Sequence, residues 1–184
     1  MPALLTLTRR MLLVLWVALV GIVLTLALTA HAAGFLGYRV VIITGSSMNP
    51  TIAMGSLVFE QTVPSDEIVA GDIVTLALPK GAVVTHRVVR VGTLDGRPAF
   101  ETKGDANAAA DPVLHPAADT TGVVRFSIPL AGFALAFLGI PSGILSVLSM
   151  LGSLLAAFWL LEEIEADRRA GAETPDMVGH GLPA

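Results

Sequence analysis

The chain contains no cysteine and only two lysines, Lys80 and Lys103. Without cysteine it can form no disulfide framework, thiol nucleophile or cysteine-based zinc site. Its net charge is -4 and no stretch is rich in Lys or Arg, which argues against nucleic-acid binding. No motif implies a metal or another cofactor.

Hydrophobic residues are abundant, at 54% of the chain, compared with ~45–50% in soluble domains. Two uncharged stretches, residues 11–30 and 142–161, hold the excess. Each has about the 20 residues that a helix needs to cross ~30 Å of hydrocarbon. The first stretch also exceeds the ~7–15 apolar residues of a secretory signal peptide. We therefore expect a retained anchor, although Ala30-His31-Ala32 resembles a cleavage site.

Basic residues at both ends of the chain predict its orientation. Arg9 and Arg10 precede the first stretch, and Arg168 and Arg169 follow the second. Because cytoplasmic flanks carry an excess of Lys and Arg, both termini are expected in the cytoplasm of a multi-pass cell-membrane protein. The predicted organisation is a transmembrane anchor over residues 11–33, an extracytoplasmic β catalytic domain over 34–128, an apolar membrane-surface segment over 129–141, a second transmembrane helix over 142–161 and a disordered cytoplasmic tail over 162–184. Segment 129–141 alternatively lengthens the second span.

The middle region alternates short β-branched runs with turn residues. The predicted strands are residues 39–44, 56–61, 73–78, 83–91, 99–102 and 122–128. Asp95-Gly96 is typical of a hairpin turn, and residues 106–120, rich in Ala, Pro and Asp, are predicted to form a loop. Short strands without an intervening helical pattern indicate a mainly β fold.

Ser47 is the candidate nucleophile. It lies between Gly45, which permits a tight turn, and Pro50, a short reach beyond the first span. A serine hydroxyl becomes nucleophilic when a neighbouring base takes its proton. The Ser47 backbone N–H, helped by the Ser46 hydroxyl or a nearby amide, could then bind the oxyanion. A Gly-Ser turn of this kind also occurs as ordinary structure.

His86, in the valine-rich strand 83–91, is the candidate general base. Histidine as a residue type titrates near neutral pH and suits this role, although a lone strand histidine can also be purely structural. His115 is a rival base, but its Pro-rich loop is expected to hold it poorly. Lys103 is a second rival, as the base of a Ser-Lys dyad.

Two aspartates could orient the imidazole and stabilise its cation. Asp105 follows Gly104 in a turn, and Asp111 precedes Pro112. Either could instead cap a turn, and we expect one of them to do so. Asp105 is the first choice for the orienting carboxylate and Asp111 the second.

The order of these residues resembles that of the type I signal peptidases, in the branch of archaea, the endoplasmic reticulum and sporulation-type bacterial enzymes. The similar motifs are Ser47-Met48-Asn49-Pro50, Gly71-Asp72-Ile73-Val74, Val84-Thr85-His86-Arg87-Val88 and Lys103-Gly104-Asp105-Ala106-Asn107. Asp111 stands where that branch has a second aspartate. The resemblance implies a fold of coiled β-sheets and a Ser-His(-Asp) site.

It also implies a membrane-bound serine endopeptidase that removes signal peptides from exported preproteins after a small-x-small motif. The implied partners are these signal peptides and the lipid bilayer, with secretion-machinery or complex subunits as further candidates. The alternative is a non-catalytic, membrane-anchored β module or assembly subunit. In that case, replacing Ser47 by Ala would leave the cellular phenotype unchanged.

Overall fold

The computed structural model of the chain describes residues 2–173. Helix α1 runs Pro2–Phe35, the short helix α2 runs Ala131–Leu138 and helix α3 runs Pro141–Glu173. Both α1 and α3 contain stretches that are long and apolar enough to cross a membrane, Thr6–Phe35 and Pro141–Arg168. These stretches include the two apolar segments identified in the sequence.

The chain divides into two compact units, and the first contains the N-terminal part of α1 together with α3. The guanidinium of Arg9 lies 3.4 Å from the Glu165 carboxylate and 3.9 Å from that of Glu162. It also lies 5.3 Å from the centroid of the Phe158 ring. Charge pairing and cation–π contact thus join the two helices near the start of α1.

The second unit, Thr25–Ile140, contains an antiparallel seven-stranded sheet. Its strands are β1 Tyr38–Ile42, β2 Leu57–Gln61, β3 Ile73–Ala77, β4 Val83–Leu94, β5 Arg97–Lys103, β6 His115–Pro116 and β7 Thr120–Ile128. They are ordered β1-β2-β7-β3-β4-β5-β6. Strand β7 therefore lies between β2 and β3. It joins the β1–β2 half of the curled sheet to the half that contains β3, β4, β5 and β6.

The β4–β5 hairpin shows how local sequence sets strand pairing. Asp95 and Gly96 both adopt positive φ, 50° and 73°, which is the backbone pattern of a two-residue hairpin turn. The turn pairs Leu94 with Arg97, and the ladder continues to the pair of Arg87 with Lys103. It therefore brings Lys103, and the chain that follows it, beside His86 and Arg87.

Three groups of buried apolar side chains hold the second unit together. One contains Ile68, Val74, Leu76, Val88, Phe100 and Val123, the second Ile43, Met48, Ile52 and Val58, and the third Ala33, Leu57 and Phe59. The third group packs the end of α1 onto β2. The second group lies beneath the turn after β1, which carries Ser47.

Helix α2 docks on the β1–β2 connection through a close backbone contact. The Gly132 amide donates to the Gly55 carbonyl over 2.9 Å. A Cβ atom at Gly132 would lie 2.7 Å from that oxygen, so the contact requires glycine. Large apolar side chains remain exposed on and beside the helix: Leu130, Phe133, Phe137 and Ile140.

The predicted fold class is confirmed: a mainly β domain is accompanied by N- and C-terminal apolar helices. Residues 106–120, expected to be a loop, instead include β6 and a turn of 3-10 helix, Ala117–Asp119. Segment 129–141 does not lengthen α3, because α2 is a separate helix. The predicted disordered tail is helical over residues 162–173, and residues 174–184 lie outside the described part of the chain.

Candidate active site

Ser47 lies in the turn that follows β1 and is half-buried. Its neighbour Met48 is 1% exposed and packs with Ile43, Ile52 and Val58. The Ile52 amide donates to the Met48 carbonyl over 2.9 Å. Burial of the methionine thus anchors the turn and limits the positions open to the adjacent serine hydroxyl.

His86 lies on β4 opposite Val74 of β3 and is 6% exposed. Its Nε2 atom is 3.2 Å from Ser47 Oγ. This is the geometry of an imidazole that accepts the proton of a serine hydroxyl. Two residues 39 positions apart in sequence are therefore in direct hydrogen-bond contact.

Asp111 binds the other nitrogen of the same imidazole. Its Oδ2 atom is 2.7 Å from His86 Nδ1. Because an ionised carboxylate only accepts hydrogen bonds, Nδ1 carries the hydrogen and Nε2 is left to accept from Ser47. Asp111 thereby fixes both the tautomer and the ring orientation of His86.

The Asp111 carboxylate is itself held from β5. Thr102 Oγ1 donates to Asp111 Oδ2 over 2.5 Å, and the Asp111 amide donates to the Thr102 carbonyl over 2.8 Å. Sequence reasoning missed Thr102. Its alternation with the buried Phe100 was the available signal, since residues two apart on a strand share a face.

Asp105 was the first choice for the carboxylate that orients His86, but its carboxylate binds Arg87 instead. Its two carboxylate oxygens accept from Arg87, over 2.9 Å from Nε and 2.7 Å from the terminal nitrogen Nη2. The partner of His86 is thus the second choice, Asp111. The register explains the difference, because Arg87 pairs with Lys103 at the end of β5 and so meets the turn that immediately follows.

The Arg87–Asp105 pair alters the ionisation of both groups. Hydrogen bonding from Arg87 lowers the pKa of the Asp105 carboxyl, with further lowering by a hydrogen bond from Thr51 and by the charges of Arg87 and Lys103. The hydrogen bond to Asp105 likewise raises the pKa of Arg87. Arg87 also donates to the Gly71 carbonyl over 2.8 Å. Sequence reasoning missed these roles of Arg87 and Thr51.

The turn after β5 also contacts the backbone of Ser47. The Ala106 amide donates to the Ser47 carbonyl over 2.8 Å. A Cβ atom on Gly104 would lie only 2.6 Å from that carbonyl oxygen. The absence of a side chain at Gly104 therefore allows this turn to approach Ser47.

The rival bases occupy other positions. His115 was expected to be poorly held by its Pro-rich loop. It is instead buried, with 7% of its surface exposed, and lies on β6 opposite Phe100. Its Nε2 atom is 3.7 Å from Asp111 Oδ2, so it faces the carboxylate. Lys103 ends β5 opposite Arg87. Within residues 2–173, the basic side chain hydrogen-bonded to Ser47 Oγ is that of His86.

The two oxyanion candidates differ in their surroundings. Ser46 is exposed, and its carbonyl accepts from the Asn49 amide over 3.1 Å. In the described chain, no backbone carbonyl accepts the Ser47 N–H. Use of that N–H to bind an oxyanion stays a prediction, as does a contribution from the Ser46 hydroxyl.

No protein-family model matches the chain. Over 76 residues it is 36% identical to Signal peptidase I W of Bacillus subtilis (strain 168). The matched segment makes up 41% of this chain and 40% of that protein, so the match spans about two fifths of this curated relative. The two apolar helices and this similarity suggest a membrane location. At the level of the family, the similarity supports a relationship between this chain and the type I signal peptidases.

Proposed function

We propose that the chain is a membrane-bound serine endopeptidase that removes signal peptides from exported preproteins after a small-x-small motif. The proposal rests on two consecutive hydrogen bonds. Ser47 Oγ lies 3.2 Å from His86 Nε2, and His86 Nδ1 lies 2.7 Å from Asp111 Oδ2. The similarity to Signal peptidase I W supports the choice of substrate. The histidine contact favours the Ser-His branch over a Ser-Lys mechanism.

In the proposed reaction, Ser47 Oγ attacks the scissile carbonyl while its proton passes to His86 Nε2. Asp111 stabilises the imidazolium that forms, and the Ser47 N–H donates to the oxyanion. His86 then protonates the leaving amine as the C–N bond breaks. A water molecule, deprotonated by His86, hydrolyses the acyl-enzyme, and the proton returns to Ser47.

Two strand edges border a cleft beside the nucleophile. In the described residues, β5 pairs with β4 from Arg87 onwards, so 83–86 pair only with β3. Within residues 2–173, strand β1 pairs only with β2. The cleft has a volume of about 190 Å³ and is lined by residues 41–45, Ser47, Met48 and 83–85.

An extended peptide could hydrogen-bond to these free edges as an added strand. Its scissile carbonyl would then lie near Ser47, because the serine lines the same cleft. The small volume favours short side chains at the alternate positions that point into it. The cleft therefore supports a preference for residues such as Ala and Gly at the first and third positions before the scissile bond.

The membrane would raise the effective concentration of substrate, because enzyme and signal peptide would share one plane. In this proposal α1 and α3 span the membrane, both termini are cytoplasmic and the β domain is extracytoplasmic. The exposed Phe133 and Phe137 of α2 would lie against the membrane surface. Aromatic side chains are commonly found at that interface.

The proposal is tested with the full chain, purified in detergent, and a preprotein carrying an Ala-x-Ala site. Mass spectrometry should find a single cut after the second alanine, and replacing that alanine by a bulky residue should abolish it. Replacing Ser65, a half-buried serine between β2 and β3, by Ala provides a control and should not alter the cut. Failure of the wild-type chain to cut a competent preprotein would contradict the proposal and favour the non-catalytic alternative.

A further inference from the structure

A second cavity, of about 480 Å³, includes His86 and Asp111 in its wall. Most of its other lining residues are apolar, among them Leu78, Val84, Val113 and Leu114, and the remaining polar ones are His115 and Asp119. Ser47 and Met48 line the first cleft and not this cavity. The reaction proposed above makes no use of this space, although two of its catalytic groups border it.

Val84 relates the two cavities, because it lines both. Successive side chains of a strand point to opposite faces. Val83 and Thr85 line the cleft beside Ser47, whereas His86, on the same strand face as Val84, lines the second cavity. The free edge of β4 therefore borders both spaces: within residues 83–86, Val83 and Thr85 line the cleft, His86 lines the second cavity and Val84 lines both.

A substrate strand added along this edge would follow the same alternation. If the side chains at the first and third positions before the scissile bond enter the 190 Å³ cleft, the intervening side chain points to the opposite face. That face holds the cavity of about 480 Å³, which accommodates a larger group. We propose that this cavity binds the side chain at position −2, the second residue before the scissile bond, and favours an apolar residue there.

The charged residues in the cavity wall strengthen the expected preference for an apolar side chain at −2. Asp111 and Asp119 are the acidic residues in its wall. The imidazoles of His86 and His115 also line the cavity and both lie against Asp111. An acidic side chain at −2 would lie near the two carboxylates and lose water against mainly apolar walls, whereas leucine would gain from the same burial. The predicted order of cleavage is thus Leu above Gly, and Gly above Asp. This inference rests on the proposed function, because it assigns a further contact to the same substrate.

The first test uses the wild-type chain in detergent and preproteins with Ala fixed at −1 and −3. Position −2 is varied among Leu, Gly and Asp. Because burying a few methylene groups changes specificity by about 10-fold or more, kcat/KM should be at least about 10-fold higher for Leu than for Gly. A Leu-to-Gly ratio of kcat/KM within about twofold of one would overturn the inference. A side-chain preference that appears only when the residue after the scissile bond is varied, and not when position −2 is varied, would also overturn it.

The second test narrows the cavity. Val113 lines it and is 58% exposed, so Val113→Trp can be introduced without disturbing the buried core. The Leu-to-Gly ratio should fall at least about threefold, since indole would fill space that leucine needs. The matched control is Val91→Trp, at a 47% exposed valine of β4 that is outside the cavity lining. This control should keep the wild-type ratio.

A Leu-to-Gly ratio that stays at its wild-type value in Val113→Trp, with the melting temperature also unchanged, would overturn the assignment of the cavity. If the wild-type chain cleaves no preprotein in the series, the proposed function fails and this inference fails with it. Cleavage that depends on Ser47 but ignores the residue at −2 contradicts the inference alone. The two failures are therefore distinguishable.

Discussion

The Asp111 Oδ2 atom lies 2.7 Å from His86 Nδ1, and the opposite nitrogen of that ring faces Ser47. Asp111→Asn should lower kcat for preprotein cleavage by about 10³–10⁴-fold, because an amide can donate to Nδ1 and so favour the wrong tautomer. The measurement is single-turnover cleavage together with a melting curve. A folded variant with near-wild-type kcat would contradict the assigned role of Asp111.

Asp105→Asn should act mainly on stability. Loss of the charge-assisted bonds from Arg87 should lower the free energy of unfolding at pH 7 by about 1–3 kcal/mol. The control is Glu101→Gln, which breaks the more exposed Arg90–Glu101 pair and should cost under about 1 kcal/mol. Denaturant unfolding in detergent measures both. Equal effects of the two variants would contradict a special role for the Arg87–Asp105 pair.

The same pair makes a prediction about pH. Because folding lowers the pKa of Asp105, its contribution to stability is fully present above the unfolded carboxyl's pKa, roughly 3.9. The contribution is lost as pH falls through the lower, folded-state pKa. The stability difference between wild type and Asp105→Asn should be constant from about pH 7 to 5 and shrink below about pH 4. A difference that grows in acid would have the wrong sign.

The contrast between the two aspartates shows what sequence could and could not predict. Ser47 and His86 could be selected as candidates because the chemistry requires a hydroxyl and a base and because their motifs occur in the order of the signal peptidase pattern, although neither motif is specific alone. Asp105 and Asp111 both lie in the segment that follows β5, and their partners depend on the β4–β5 register. That register places Arg87 next to Asp105, a long-range effect that local sequence does not encode.

The fold was predictable to a similar degree. Short β-branched runs and the Asp95-Gly96 turn identified the strands and the hairpin. The insertion of β7 between β2 and β3 depends on pairing across some 60 residues, such as Gln61 with Val123, and has no local signal. Helix α3 continues through residues 162–173, and two acidic residues of this stretch, Glu162 and Glu165, pair with Arg9 of α1. The change from apolar to charged residues after position 161 therefore did not mark the end of helix α3.

Gly104→Ala should reduce cleavage by displacing the turn from Ser47. A Cβ there would lie 2.6 Å from the Ser47 carbonyl oxygen, so backbone must move. Misplacement of a reacting group by about 1 Å can lower the rate by about 10²-fold. We therefore expect Gly104→Ala to lower kcat/KM by about 10–100-fold. Gly92→Ala is the control, since a Cβ at Gly92 meets nothing within 4 Å. If both variants cleave at the wild-type rate, the close approach has no functional role.

Lys103→Met separates the Ser-His from the Ser-Lys mechanism. Because the imidazole that contacts Ser47 Oγ is that of His86, the Ser-His mechanism predicts that the variant keeps activity within about 10-fold of wild type, a much smaller loss than removal of the base itself would cause. Initial cleavage rates, with matched melting temperatures, provide the readout. Complete loss of cleavage in a folded Lys103→Met variant, with His86→Ala still active, would establish the lysine as the base.

The most direct test of the central claim, activation of Ser47 by His86, is the initial rate of preprotein cleavage by wild type, Ser47→Ala and His86→Ala. Ser65→Ala, at a serine outside the site, is the control. Both site variants should lose at least about 10⁴-fold in kcat while Ser65→Ala keeps the wild-type rate, because a nucleophile and its base act as one unit. Cleavage that persists at the wild-type rate without the Ser47 hydroxyl or the His86 imidazole would contradict the mechanism.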